Sequence, residues 1–317
     1  MRPGDRQAGR RPGLPNRAYR SLLVATAAIF VAVVGWYVLS IVVQARPAFS
    51  ALGVSWIFQK VWDPTHNRFG LLPFILGTLE TTAIAMVLAL PIGLGSALAL
   101  AHLVPDRLKV PLSTMVELLA AVPSVVYGLW GLIVIAPVFR STVEPFLSTV
   151  FGWTGLFNGP ADGVGLLLAG VILFVMVLPT MVAISRDVLA VVPLEQVEGA
   201  MALGATRWQV LRKVVIPGAR TGILGGFTLA IGRALGETVA VALIIGNSPY
   251  IAHSITSPAA TLASLIVNNF GEATGTELSA LFGAALVLMV IGVVVNAAAR
   301  WLVPASALSS AVPVAVG

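Results

Sequence analysis

Residues 221–246 read TGILGGFTLAIGRALGETVAVALIIG, an apolar stretch long enough to cross a bilayer that nevertheless carries two charges, Arg233 and Glu237. A crossing helix needs about 20 predominantly apolar residues to traverse the hydrocarbon core. At a rise of ~1.5 Å per residue, Arg233 lies about 18 Å from Thr221, near the middle of that core. The four-residue spacing stacks Arg233 and Glu237 on one helix face. Ionisable groups at this depth are costly, and they mark substrate pathways, relays or buried pairs. Two readings stay open: the pair lines a pathway, or it is a structural ion pair that locks two helices together.

The same hydropathy pattern extends in both directions from this stretch. The 317 residues are 58% hydrophobic and 10% charged, with a mean hydropathy of +0.96, which excludes a soluble domain. Further spans are expected over 20–44, 76–103, 112–139, 163–184 and 278–303, giving an all-α integral membrane protein with six transmembrane helices. Pro91, Pro123 and Pro179 fall within these spans and predict kinks whose freed carbonyls neighbouring helices must satisfy. The chain divides into a basic tail (1–19), a first transmembrane helix with its outer loop (20–70), a core of five transmembrane helices (71–304) and a C-terminal tail (305–317).

The first apolar run is too long for a signal-peptide core and is expected to stay as an anchor. Arg10 and Arg11 are separated from it by Pro12, Gly13 and Pro15, so the segment reads as a basic tail and not an export signal. The chain has no cysteine, which removes disulfides, thiolate metal sites and cysteine nucleophiles. His66, His102 and His253 are scattered and predict no metal set.

Cation placement sets the expected topology. With both termini cytoplasmic, the inner side collects Arg2, Arg6, Arg10, Arg11, Arg17, Arg20, Arg107, Lys109, Arg186, Arg207, Arg212, Lys213, Arg220 and Arg300. The outer side holds Arg46, Lys60, Arg68 and Arg140. The net charge of +6 is thereby accounted for by membrane orientation, and no nucleic-acid partner is needed; Arg207, Arg212 and Lys213 can face water or the phosphates of membrane lipid.

The longest polar interruption on the inner side covers 185–220. Within it, Glu198-Gly199-Ala200 leads to Gly204, and Arg207-Trp208-Gln209-Val210 leads to Pro217. The pattern predicts two short helices, broken at Gly204 and stopped by Pro217. A membrane-surface helix is the plain reading of such a segment.

The spacing of Glu198, Gly204 and Pro217 resembles the EAA loop of ABC importer permeases. Two further segments, Glu117 to Gly131 (ELLAAVPSVVYGLWG) and Gly232 to Ala240 (GRALGETVA), resemble signature stretches of permeases from phosphate-specific ABC importers. With Ile245-Gly246-Asn247, they are most similar to the PstC type. The resemblance covers about residues 20–304. It implies a type I permease fold with a cytoplasmic coupling helix, in which Glu198, Ala200, Gly204, Arg207 and Pro217 serve ATPase docking. It also implies a PstA-type permease partner, PstB-type ATPase subunits that bind ATP and Mg, and a PstS-type phosphate-binding protein. Consistently, none of Lys60, Lys109 and Lys213 follows a glycine as a phosphate-binding Walker loop requires. The chain is then expected to carry no cofactor and to have no enzymatic activity of its own.

On this reading Arg233, Glu237 and Thr238 line the substrate pathway. A guanidinium is permanently charged and offers a planar fork to phosphate oxygens. Glu237 either holds Arg233 when the path is empty or accepts a hydrogen bond from a protonated phosphate oxygen. Glu80 and Thr81 are candidates for the entrance, against the alternative of a carboxyl that faces lipid or bonds to neighbouring hydroxyls. Glu117 is expected at the inner interface, Tyr127 and Trp130 in packing, and Trp62-Asp63 and Gly152-Trp153 in interfacial anchoring. The apolar run 262–270 is too short to span and predicts an outer helix that packs or receives the binding protein. The competing functions are a secondary transporter or channel using Arg233 and Glu237 as an ion relay, and an ABC permease for sulfate or molybdate. No paired carboxylates, Ser/His set or metal cluster favours a membrane enzyme.

Overall fold

The computed structural model describes residues 16–301. Most of the basic tail, including Arg2, Arg6, Arg10 and Arg11, and the whole 305–317 tail lie outside the described residues. Among the described residues, six helices are long and apolar enough to cross a membrane: Ala18–Leu52, Leu72–Leu103, Ser124–Thr154, Leu166–Ala190, Arg207–Leu235 and Gly275–Ala299. Six crossings bring both ends of the described chain to one side, the tail face; the opposite side is the loop face.

The fourth span lies at the centre, because its residues are apolar all round. Leu168, Ile172, Leu173, Val177 and Met181 are fully buried, packed mainly between the second and fifth spans. Lipid tails are as apolar as these side chains, so what holds the spans together is close packing more than escape from water. The first span buries only Ile41, Ala45 and Ala48 near its loop-face end, where it lies on the sixth.

The third span differs from expectation. Leu112 to Ala121 belong to a separate elbow helix, Asp106–Ala121, which has no buried residue. Val122 leaves the helix at ψ 128°, the extended conformation that a following proline imposes. The crossing restarts at Ser124 and runs to Thr154. A hydropathy window merges the two because the elbow carries Leu112, Met115, Leu118 and Leu119, all exposed and available to the membrane surface. The Tyr127 hydroxyl donates to the Leu119 carbonyl at 2.8 Å, which bridges the break. Glu117 pairs with Arg186 of the fourth span at 3.5 Å, tying the elbow to the tail face.

On the loop face, Trp62–Asp63 and Arg68–Phe69 form a two-stranded antiparallel hairpin. The Asp63 carboxylate accepts the amides of Thr65 and His66. Hydrogen bonding, chiefly from the Thr65 hydroxyl and then from His66, lowers its pKa to about 2. Trp62 meets Phe69 and Phe74 edge-on, with ring centroids 5.3 and 5.7 Å apart. Trp62-Asp63 therefore builds a hairpin on the loop face.

The run 262–270 forms the loop-face helix Leu262–Asn269, whose first four residues are buried. Thr261 and Ser264 exchange capping hydrogen bonds at its start. The Leu262 amide donates to the Thr78 hydroxyl of the second span at 3.0 Å. Gly77 permits this approach, since a Cβ there would sit 2.2 Å from the Ala260 carbonyl oxygen. A Gly77→Ala variant should lose about 1–3 kcal/mol through overpacking, read as a lower Tm of the detergent-purified chain. Gly95→Ala, which meets nothing within 4 Å, should leave Tm unchanged; equal Tm values for the two variants would refute a tight Gly77 contact.

Candidate functional site

The fifth span does not run unbroken through 221–246. It ends at Leu235, residues 236–238 leave the helix, and a half-helix, Val239–Ile244, follows. Arg233 and Glu237 therefore do not stack on one helical face, and among the described residues no ion pair joins them. Arg233 Nη1 instead donates to Thr180 Oγ1 of the fourth span at 3.2 Å. Glu237 Oε1 accepts the Ala240 amide at 3.3 Å. The cause is local: a helix start presents amides without intrahelical partners, and the nearby carboxylate satisfies one of them.

The half-helix is held at both ends and from the side. Asn247 adopts a left-handed conformation with φ 50°, and its side-chain amide donates to the Ala242 carbonyl at 2.7 Å. Gly128 of the third span admits it closely, as a Cβ there would lie 2.8 Å from Ala240 Cα. Ala240, Val241, Ala242 and Ile244 are buried. The Thr238 hydroxyl is turned back, donating to the Gly236 carbonyl at 3.2 Å.

Arg233 is exposed, whereas Thr180, Glu237 and Thr238 are half-buried. The guanidinium thus stands on the surface of the single chain at about the depth of the helix break, with its remaining donors available. Thr180 and Asn247 are contributors that the sequence reading did not assign. Thr180 directly follows the mid-span Pro179, which opens the helix ladder there; Asn247 sits in a quoted motif, but only its φ reveals the capping role.

Of the two entrance candidates, Glu80 lines an open cleft of about 400 Å³ with Ala83, Ile84, Leu166, His253 and Ser254. Thr81 does not line it. It is buried, and its hydroxyl donates to the Gly77 carbonyl at 2.7 Å, because a threonine inside a helix reaches its own backbone more easily than a cavity.

At the tail face, Leu194–Ala202 forms a helix with no buried residue. Glu198 is exposed on it, and Leu194, Met201 and Leu203 are exposed apolar groups. Gly204 turns the chain at φ +85°. Thr206 and Gln209 then form a reciprocal capping box that starts the fifth span at Arg207. Ala200, Gly204 and Ala205 line a shallow groove of about 320 Å³ with Gln209 and Lys213. Pro217 does not stop the helix. A wider π-helical turn, Leu211–Val215, precedes it, and Pro217 lies in the first turn of the α-helix that follows, where its missing amide costs little.

Six crossing helices, an exposed tail-face helix and a charged helix break define a polytopic membrane component. Residues 89–307 match the family described as binding-protein-dependent transport system inner membrane component, and the chain belongs to that family, as a multi-pass inner-membrane protein. It is 41% identical over 298 residues to the phosphate transport system permease protein PstC of Mesorhizobium japonicum, covering 92% of this chain and 91% of the relative. It is 39% identical to the probable PstC of Methanocaldococcus jannaschii, covering 84% and 86%. The fold is similar to that of a bacterial alginate ABC transporter in complex with an alginate-bound periplasmic protein, at TM-score 0.60 and 16% identity, covering 90% of this chain and 94% of that one. The MetNI methionine ABC transporter in inward-facing form gives TM-score 0.53 at 18% identity, covering 76% and 97%.

The tail-face turn makes a local prediction. A Cβ at Gly204 would meet nothing within 4 Å, so the glycine is required by conformation and not by space. Gly204→Ala should cost about 1–2 kcal/mol and speed hydrogen exchange across the capping box about tenfold. Gly204→Asn should be milder, because asparagine tolerates the left-handed region; equal exchange in wild type and Gly204→Ala would refute it.

Proposed function

We propose that this chain is the permease subunit of an ATP-driven importer that moves inorganic phosphate inward by alternating access. The observation that carries the reading is Arg233, an exposed guanidinium in the last turn of the fifth span beside the helix break, held by one hydrogen bond to Thr180. A permanently charged planar fork in a low-dielectric setting suits a tetrahedral oxyanion. The relatives named as phosphate transport permeases support phosphate over sulfate or molybdate.

In this proposal the tail face is cytoplasmic, following the excess of cations there. The exposed helix Leu194–Ala202, with Glu198, Ala200 and Gly204, docks a PstB-type ATPase, which binds ATP and Mg; Arg207 and Pro217 belong to the adjoining start of the fifth span. A PstA-type permease faces Arg233, Glu237 and Thr238 and completes the pathway. A PstS-type binding protein delivers phosphate at the loop face, where Glu80 lies in the outer cleft. An isolated secondary transporter would have no use for an exposed docking helix of this kind.

The roles of Arg233 and Glu237 separate by mutation in the assembled complex. Arg233→Gln removes charge-assisted hydrogen bonds of about 1.5–3 kcal/mol each and should lower phosphate uptake on the order of 100-fold while complex yield holds. Arg233→Lys should recover only part of it. Glu237→Gln should be milder, since an amide oxygen can still accept from Ala240. The Arg233→Gln, Glu237→Gln double variant should stay inactive; near-normal uptake in it would restore the structural ion-pair reading and overturn the pathway.

A further inference from the structure

A threonine inside a helix commonly spends its hydroxyl proton on its own backbone, four residues back. Thr78, Thr82 and Thr228 do so, donating to the Phe74, Thr78 and Leu224 carbonyls at 2.7, 2.7 and 2.8 Å. Thr180, near the middle of the fourth span Leu166–Ala190, does not. Its Oγ1 accepts from Arg233 Nη1 at 3.2 Å, and among the described residues its side chain makes no other hydrogen bond. A hydroxyl carries one proton and two lone pairs, so this bond occupies one lone pair and leaves the proton unspent. The half-buried Thr180 thus holds, beside a cation, a donor with no acceptor.

The neighbouring groups define the missing partner. The nearest carboxylate in sequence, Glu237, gives Oε1 to the Ala240 amide at 3.3 Å and bonds to neither Arg233 nor Thr180. Two donor groups therefore stand side by side, one of them permanently charged, and suit a ligand rich in acceptor oxygens. The arrangement also strengthens the second donor. An N–H donated into a hydroxyl oxygen polarises its O–H, so the bond that this O–H makes to a further acceptor gains strength. We propose that Thr180 is a second phosphate-contacting residue, its hydroxyl donating to one oxygen of the anion while the Arg233 fork takes others. The inference rests on the pathway reading of Arg233 and adds to it a side chain from a different helix. Because the two donors belong to the fourth and fifth spans, the pair exists only while these spans hold their present register. A displacement of the fifth span alone would separate the donors and weaken the site.

Uptake of inorganic phosphate by the assembled complex in proteoliposomes, supplied with phosphate-loaded binding protein, tests this together with complex yield. Thr180→Val keeps the branched shape but removes the hydroxyl. It should lower uptake about tenfold, the scale of one lost hydrogen bond to a charged group, with yield unchanged. Thr180→Ser keeps the hydroxyl and should recover most of the uptake. Thr228→Val, which loses only a bond to its own helix, should transport as wild type does. Because Arg233 polarises the hydroxyl, the Thr180→Val defect should shrink to about threefold or less in an Arg233→Lys background, a coupling that independent structural damage does not produce. Normal uptake in Thr180→Val, no recovery in Thr180→Ser, or equal defects in the two backgrounds would overturn the role of the hydroxyl and leave the reading of Arg233 standing. A loss of complex yield in Thr180→Val that matches its loss of uptake would overturn it too, by making Thr180 a packing residue. Normal uptake in Arg233→Gln would instead remove the pathway reading itself, and this inference with it.

Discussion

Unpaired backbone groups at the break in the fifth span constrain everything built around it. Within hydrocarbon no water satisfies an open amide or carbonyl, and irregular backbone survives only where protein or a polar cavity supplies the partners. The chain meets this demand with specific side chains: Glu237 takes the Ala240 amide, and Asn247 donates to the Ala242 carbonyl. The close approach at Gly128 then lets the third span press against the half-helix and fix its direction. A glutamate that looks like the partner of a nearby arginine is, in this geometry, part of the scaffold.

The two charges also sit at opposite kinds of helix end. Arg233 occupies the last turn of the fifth span, where the partial charge of the helix is negative. Glu237 precedes the half-helix, where it is positive. Each side chain is stabilised by its own helix end, so neither requires the other. That independence leaves Arg233 bonded to Thr180 alone among the described residues, with the rest of its fork unengaged.

The class and the number of crossings were legible in composition, because membrane crossing depends on summed hydrophobicity over about 20 residues. Breaks were less legible. Hydropathy is blind to the turn at Val122-Pro123, since the elbow helix Asp106–Ala121 is apolar enough to extend a window although it never buries a residue. Pro217 misled in the opposite sense, because a π-helical turn before it absorbs the defect that a proline normally makes. Arg233 was conspicuous as a charge in an apolar run, but its partner Thr180 lies 53 positions away, a distance that sequence spacing does not encode. Thr81 and Glu80, adjacent in sequence, part company because neighbouring helical residues point about 100° apart.

Continuity through Pro217 has a mechanical consequence. From the capping box at Thr206 to Leu235 the fifth span is one uninterrupted helix, and at ~1.5 Å per residue it carries Arg207 and Arg233 about 39 Å apart on a single rod. Had Pro217 ended a helix, a displacement at the tail face would dissipate in a flexible joint before reaching Arg233. A packed helix does not shorten to absorb such a displacement. The nearest places that yield lie at its two ends: the left-handed turn at Gly204 below and the non-helical residues 236–238 above. In the proposed transport cycle, movement of the exposed helix Leu194–Ala202 would reach Arg233 along this rod, with the non-helical residues 236–238 as the point that yields. Under the proposed function, the position of the break, immediately beyond Arg233, is what would let a rigid strut present or withdraw a cation.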